Sequence, residues 1–247
     1  MMSHCACHAP TRRNVLALGA AAAFLPTIQA RATTDLPAEV AGIALPASAL
    51  ALRVAAFAKS SQPDFLFNHS MRVYVFGSIV AKQLGFKSDP ELSFSASAMH
   101  DLGLLPSFAS ARGSFEVDGA DAAEKFLHDN GLAVAATDDV WHAIVLHDWR
   151  WKVALRQGGD AVVVAGGAGC DVAGPDRTID PKQTEEIVRA FPRLQFKTRF
   201  TALLKDHCRR KPMSQQSSWL EGFCREQVPN AFADTTAKDI AGAPFAE

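Results

Sequence analysis

From Pro46 onward the apolar residues return at intervals of three and four, as in Leu50, Val54, Phe57 and Ala58. That period belongs to helices with one buried face. Strand-like alternation is scarce, so the chain is constrained to an all-α bundle whose core forms where several such faces meet. The punctuation agrees. Asp64 to Leu84 reads as one long helix ended by Gly85, and Pro90 to Leu102 as a second that begins at its proline. After His100-Asp101 the periodicity is lost through a Ser/Gly/Arg stretch to Ser114, the kind of loop that often roofs a site. Asp118 or Asp121 opens a helix to His128, with Asn130-Gly131 as its stop, and Thr137-Asp138-Asp139 starts another that feeds Val140 to Asp148. Gly158-Gly159-Asp160 restarts a helix towards Asp171. Val162-Val163-Val164 within it is β-branched, yet its isolation argues for a buried helix rather than a strand. Thr184 to Phe191 and Phe196 to Cys208 complete the set, with Pro212 as the stop, and no internal repeat is present.

At 247 residues, 48% hydrophobic and 21% charged, the chain has the composition of an ordinary globular protein with a single core. The formal charge is −1, and no basic stripe of the kind a phosphate backbone requires is present, which argues against nucleic acid as a partner.

The N-terminus reads as an address label. Arg12-Arg13 precedes an apolar run from Val15 to Leu25, Pro26 follows, and Ala30-Arg31-Ala32 suits a signal peptidase. The run is too short to span a bilayer, which takes about 20 apolar residues. Residues 1–32 are therefore expected to be a cleaved twin-arginine signal peptide, read by the twin-arginine translocation machinery, with a periplasmic or exported destination. Its removal takes three arginines and no carboxylate from 25 basic and 26 acidic residues, leaving a net charge of −4. It also removes the metal-like cluster His4-Cys5-Ala6-Cys7-His8. The expected domain spans residues 33–228, with a loose tail at 229–247 rich in Ala, Asp, Thr and Pro. Cys170, Cys208 and Cys224 remain. An odd number at wide spacing is not a disulfide framework, so buried free thiols are expected, with a Cys208–Cys224 bridge as the alternative.

Polar groups of ligand type fall where apolar helices should be uniformly core: His69, His100-Asp101, His147 and Asp171. A buried imidazole or carboxylate costs several kcal/mol unless something pairs with it, and one divalent ion satisfies several at once. Arg72 lies three positions after His69, on the same side of the helix. An acid at the last turn of a helix, as at Asp101, opposes the helix dipole unless a cation sits nearby. His142 and His147 are five apart, about 140° around a helix, so His147 is expected to face inward and His142 outward. His128 reads as a helix-end charge. Glu116 and Asp118 are open between acid–base work and anchoring of the loop. Trp141, Trp149, Trp151 and Phe108 are core residues or pocket walls, and Arg112 and Arg150 are surface groups or anion guides.

The spaced set Asn68-His69-Ser70-Met71-Arg72, His100-Asp101-Leu102-Gly103 and Gly169-Cys170-Asp171 resembles the His, His-Asp, Asp signature of the HD-domain superfamily, and within it the cyanamide hydratase-like branch. Phe115-Glu116-Val117-Asp118 and Leu146-His147-Asp148 support the likeness, which covers about residues 60–175. The resemblance implies a helical domain in which His69, His100, Asp101 and Asp171 ligate one divalent ion: zinc, iron(II) or manganese. Such an ion lowers the pKa of bound water towards ~7, making hydroxide available for attack on a small molecule. Asp101 would also orient that water, His147 would shuttle a proton, and Glu116 is a further catalytic candidate.

Many phosphate-cleaving relatives carry a lysine immediately after the His-Asp-x-Gly run, where this chain has Leu104. Hydration of a nitrile-type carbon is the first expectation. A phosphohydrolase is the alternative, and an exported helical binding protein without catalysis is the second. Nothing in the sequence sets the oligomeric state.

Overall fold

The chain divides into two units, Met1–Ala32 and Thr33–Glu247. The computed structural model describes residues 36–148, 151–175, 177–212, 218–228 and 241–244, all within the second unit. The expected signal peptide at 1–32, Trp149, Arg150 and most of the expected tail at 229–247 lie outside the described residues.

The fold is all-α, as the periodicity requires. Ten α-helices are present among the described residues: α1 Ala49–Ser61, α2 Asp64–Gln83, α3 Pro90–Met99, α4 Phe115–Asp129, α5 Val134–Val145, α6 Trp151–Gln157, α7 Gly159–Ala173, α8 Pro181–Ala190, α9 Phe196–Arg210 and α10 Trp219–Gln227. No helix among the described residues is long and apolar enough to cross a membrane.

The termini follow local chemistry. Ser48 caps α1 by accepting from the Ala51 N–H, and Asp89 caps α3 by accepting from Glu91 and Leu92, ahead of Pro90 in the first turn. α2 stops where Gly85 takes φ +76°, a conformation open to glycine at little cost. Several boundaries differ from expectation by about one turn, and α6 and α10 were not expected. α4 begins at Phe115, ahead of Asp118, and α5 begins at Val134, ahead of Thr137-Asp138-Asp139. Burial of Phe115 outweighs the pull of the later polar cap residue in α4, whereas Val134 at the start of α5 is exposed. A two-residue hairpin, Glu39–Val40 paired with Ile43–Ala44, was not expected. It turns at Ala41 and Gly42, both at positive φ, and α8 anchors it: the Ala41 N–H donates to Glu186 and Gln183 donates to the Ala41 carbonyl.

α2 is buried on nearly every side and packs most extensively with α7. Their axes come together because each gives up a side chain to the other's backbone. A Cβ on Gly77 would lie 1.8 Å from the Val163 carbonyl oxygen, and one on Gly167 would lie 1.9 Å from that of Val73. Gly77→Ala and Gly167→Ala must therefore push the two helices apart. Overpacking costs about 1–3 kcal/mol, and a domain of this size loses about 2–4 °C of Tm per kcal/mol, so each variant is expected to lower Tm by several degrees. Gly169, on the same helix, has nothing within 4 Å of its would-be Cβ, so Gly169→Ala should hold or raise Tm. Equal behaviour of Gly167→Ala and Gly169→Ala in thermal melts would refute this packing.

The thiols correct the sequence expectation. Cys208 at the end of α9 and Cys224 in α10 form a disulfide, and Cys170 is outside any disulfide. The partners are 16 positions apart in sequence, and the packing of α10 on α9 brings them together.

Candidate metal centre

The α3 helix stops at Met99, one turn earlier than expected. His100 is its C-cap, and Asp101 leads into a short 3-10 helix, Leu102–Leu104. α4 can pack against this turn because Gly103 has no side chain: a Cβ there would lie 2.0 Å from the Phe115 carbonyl oxygen. His147 lies at a matching place, two residues past the end of α5. Both imidazoles use Nδ1–H to cap the helix they follow. His100 donates to the Ser97 carbonyl at 2.8 Å and His147 to that of Ile144. Each thereby keeps a bare lone pair on Nε2, the tautomer of a histidine ligand.

Three such nitrogens converge on one carboxylate. The Nε2 atoms of His69 and His100 lie 3.4 Å and 3.3 Å from Asp101 Oδ2, and that of His147 lies 3.8 Å from Oδ1. All four residues are buried, and Asp101 Oδ2 has no hydrogen-bond partner among the described residues. His69, His100 and Asp101 each offer one ligand atom, and these atoms lie within 4.8 Å of one another. The electrostatics match. Burial lowers the His100 pKa to about 3, so its imidazole is neutral at neutral pH. Burial would raise Asp101, but the neighbouring histidines outweigh it and hold the carboxyl below the usual range. At His69 burial acts downward, and the carboxylates of Asp101 and Asp171 on either side raise the pKa above the ordinary histidine value. A pocket that favours a proton between two buried carboxylates favours a divalent cation for the same reason.

Asp171 does not join this group, contrary to the ligand role the resemblance implies. Its carboxylate lies on the far side of the His69 ring, with Oδ2 2.6 Å from Nδ1. Arg72 grips it with both arms, Nε to Oδ1 at 2.7 Å and Nη2 to Oδ2 at 2.8 Å, and Arg193 adds Nη1 to Oδ1 at 2.6 Å. Phe196 stacks on His69 at 4.7 Å between ring centroids and also faces both guanidinium groups. In this geometry Asp171 turns the His69 ring and directs its Nε2 at the cluster.

Glu116 and Asp118, left open by sequence, part company. Asp118 anchors the loop, accepting from the Ser110 N–H at 3.0 Å and pairing with Lys211. Glu116 faces Asp148, and burial together with that second carboxylate pushes its pKa up to about 8, so it carries a proton at neutral pH. His147 is buried and His142 exposed, as their angular separation predicts.

The cluster opens on a small cavity, with about 30 Å³ of free space, lined on one side by His69, His100, Asp101, His147 and Asp148. The opposite wall is apolar: Phe115, Ala168, Val172, Phe200 and Trp219. The aromatic walls expected from sequence are not these. Trp141 donates its indole N–H to Asp121, and Trp151 lines a separate surface groove. Phe200, Trp219 and Arg193 follow the segment that carries the motif, and no local pattern marks them. Asp148 stands beside His147, and adjacency alone could have nominated it.

A family model for the HD domain matches residues 66–216. That is more than half of the chain, and the chain belongs to the HD-domain family. Members of this family are generally metal-dependent hydrolases, and the His69-His100-Asp101 group fits the metal that such chemistry needs. Among curated proteins, none matches the chain.

Proposed function

We propose that the protein holds one divalent ion on His69, His100 and Asp101 and hydrates a small, uncharged molecule of the nitrile type, as cyanamide hydratase-like proteins do. The observation that carries the metal reading is the approach of His69 and His100 Nε2 to Asp101 Oδ2, a buried oxygen with no hydrogen-bond partner among the described residues, with His147 Nε2 beside Oδ1. When bound, such an ion supplies a Lewis acid that brings water close to ionisation near neutral pH. Zinc, iron(II) and manganese all suit a His and carboxylate set.

The residues around the group have separable tasks. Asp101 Oδ1, on the His147 side, is placed to orient a reacting water. His147 Nε2, 3.8 Å from that oxygen, is placed to pass a proton to or from such a water. Glu116, protonated behind Asp148, is a proton reserve that does not touch the cluster. Phe115, Phe200 and Trp219 exclude bulk water.

Substrate size and charge follow from the cavity. A free space of about 30 Å³ holds only a few atoms, given that a single water needs about 10–15 Å³ by the same measure. No Lys or Arg is among its described lining residues, so a phosphate would have the ion alone, with no guanidinium or ammonium, to offset Asp101 and Asp148. Both points favour a neutral nitrile over a phosphate ester, and Leu104, fully buried, offers no contact to phosphate.

Export through the twin-arginine route, read from Arg12-Arg13 and the apolar run behind them, is part of the proposal. A disulfide between Cys208 and Cys224 suits an oxidising compartment.

The test is elemental analysis of the purified protein followed by a screen of small nitriles and phosphoesters with the metal that is found. One equivalent of a transition metal and hydration of a small nitrile are expected. Phosphoester turnover with inhibition by phosphate would replace this reading with a phosphohydrolase. Absence of any tightly held ion would leave a helical binding protein.

A further inference from the structure

The segment that joins α8 to α9 meets the far side of His69 in a conformation its own sequence does not favour. Leu194 and Gln195 are adjacent, neither is glycine, and their φ angles are +47° and +61°. The left-handed region crowds the Cβ of an L residue, so two in succession cost free energy and persist only where surrounding contacts impose them. Their own side chains do not. Leu194 is 43% exposed, and Gln195 is exposed and precedes α9 without a side-chain capping bond.

The imposing contacts lie on either side of the pair. Upstream, Asn68 and Arg72, which flank His69 on α2, donate to the carbonyls of Pro192 at 2.8 Å and Phe191 at 2.9 Å. Arg193 then turns inward, and its Nη1 donates to Asp171 Oδ1 at 2.6 Å and to the Asp171 carbonyl at 3.2 Å. Downstream, Phe196 is buried, stacks on the His69 ring, and is covered by the Arg193 guanidinium 4.8 Å from its centroid. The Phe196 N–H donates to the Arg193 carbonyl at 2.8 Å and closes the turn. The left-handed pair thus reverses the chain tightly enough for residues 193 and 196 to reach the same His69–Asp171 couple, one at the carboxylate and the other at the ring.

We infer that the turn from Arg193 to Phe196 is a positioning element of the metal group, in which Arg193, acting through Asp171, and Phe196, lying on the imidazole, fix the rotation of the His69 ring. The left-handed backbone at Leu194 and Gln195 is strain accepted for that task. Neither positioning residue belongs to the His69-His100-Asp101 group, and both act through His69. The consequence for metal affinity rests on the function proposed above, whereas the ring orientation does not.

The test makes two measurements on the full chain. In the metal-free protein, nitrogen-15 NMR follows solvent exchange of the His69 Nδ1 proton that bonds to Asp171. Competition with a chelator for zinc then gives the affinity. Arg193→Met and Phe196→Leu are expected to speed the proton exchange at least about tenfold and to weaken zinc binding about tenfold, with helix content by circular dichroism unchanged. Because Arg193 acts through Asp171, the Asp171→Asn/Arg193→Met double variant should bind zinc no more weakly than Asp171→Asn alone, a coupling that a merely structural role does not produce. Gln195→Pro tests the backbone. Proline is tolerated at the start of a helix, but it forbids positive φ at its own position and drives the preceding residue to extended backbone, so this variant should match Arg193→Met. Gln195→Gly, free to keep positive φ, should match the native protein in both measurements. Native-like exchange and affinity in Arg193→Met would overturn the inference. So would additive losses in the double variant, or equal behaviour of Gln195→Gly and Gln195→Pro. Arg193 is partly exposed, so Arg193→Met decides the matter even where Gln195→Pro does not fold. A protein that holds no ion would defeat the proposed function, and the His69 proton alone would then judge this inference.

Discussion

His100→Ala is expected to yield a folded protein that no longer retains a metal ion through dialysis. The site supplies two imidazoles and one carboxylate at close range, and His100 Nε2 is bare and buried, 3.3 Å from Asp101. A full set of structural zinc ligands contributes about 10–16 kcal/mol, so removing one member should cost about 3 kcal/mol, more than a hundredfold in affinity. The fold should survive. His100 lies past the last residue of α3, and its one hydrogen bond in the structure caps that helix through the Ser97 carbonyl. Competition with a chelator, read by elemental analysis, measures the loss, and circular dichroism measures helix content. Asp171→Asn is the informative contrast. Asp171 acts on the site through His69 Nδ1, so the substitution should weaken binding about 10–100-fold without abolishing it. Retention of a full equivalent of metal by His100→Ala would remove the basis of the proposed chemistry. Loss as complete in Asp171→Asn as in His100→Ala would return Asp171 to the ligand set.

Arg72→Met is expected to be the most destabilising single change at the site. Arg72 has no exposed surface, and its guanidinium donates twice to Asp171 and once to the Phe191 carbonyl, tying α2 to α7 and to the end of α8. Removing one partner of a buried ion pair costs about 3–5 kcal/mol, which at about 2–4 °C per kcal/mol is a fall in Tm near 10 °C. Arg193 remains on Asp171 but is partly exposed and cannot replace the grip. Arg72→Lys should recover little, because an ammonium cannot bond both carboxylate oxygens in the fork geometry.

The same pair fixes the sign of a pH effect. Burial acts to raise the Asp171 pKa, but hydrogen bonds and charge from His69 and Arg72 prevail and hold it below the ordinary carboxylate range. A carboxyl depressed on folding contributes stability that is fully present above its unfolded value, about 3.9, and is lost as pH falls towards the folded value. The gap in Tm between the native protein and Arg72→Met should therefore be widest near neutrality and narrow below about pH 4. A gap under 2 °C at pH 7, or one that widens in acid, would show that the pair does not brace the site.

Several site features were legible because they are local. His100-Asp101 at the end of α3 announces polar groups with nowhere to go. The five-residue spacing of His142 and His147 was enough to tell the inward ring from the outward one. Other features were not legible, because their partners are remote in sequence. His69 meets Asp171 across 102 residues and Arg72 meets it across 99. A pattern that places all three in the core says nothing about which atoms bond. Glu116 was named for its chemistry, but its raised pKa comes from burial and from Asp148, in the turn after α5.

What the sequence by itself determined is the all-helical class, the approximate course of most helices, and the roster of polar residues that had to be buried, since these follow from a 3.6-residue period and from capping chemistry that acts within a few residues. The tertiary structure alone decided that Asp171 meets His69 at Nδ1, that the Nε2 atoms of His69 and His100 face Asp101, and that Trp219 lines the cavity. The reason is physical. Hydrogen-bond partners and ring orientations are set by the distance between helix surfaces, and that distance depends on side chains, such as the missing ones at Gly77 and Gly167, that lie far along the chain from the groups they bring together.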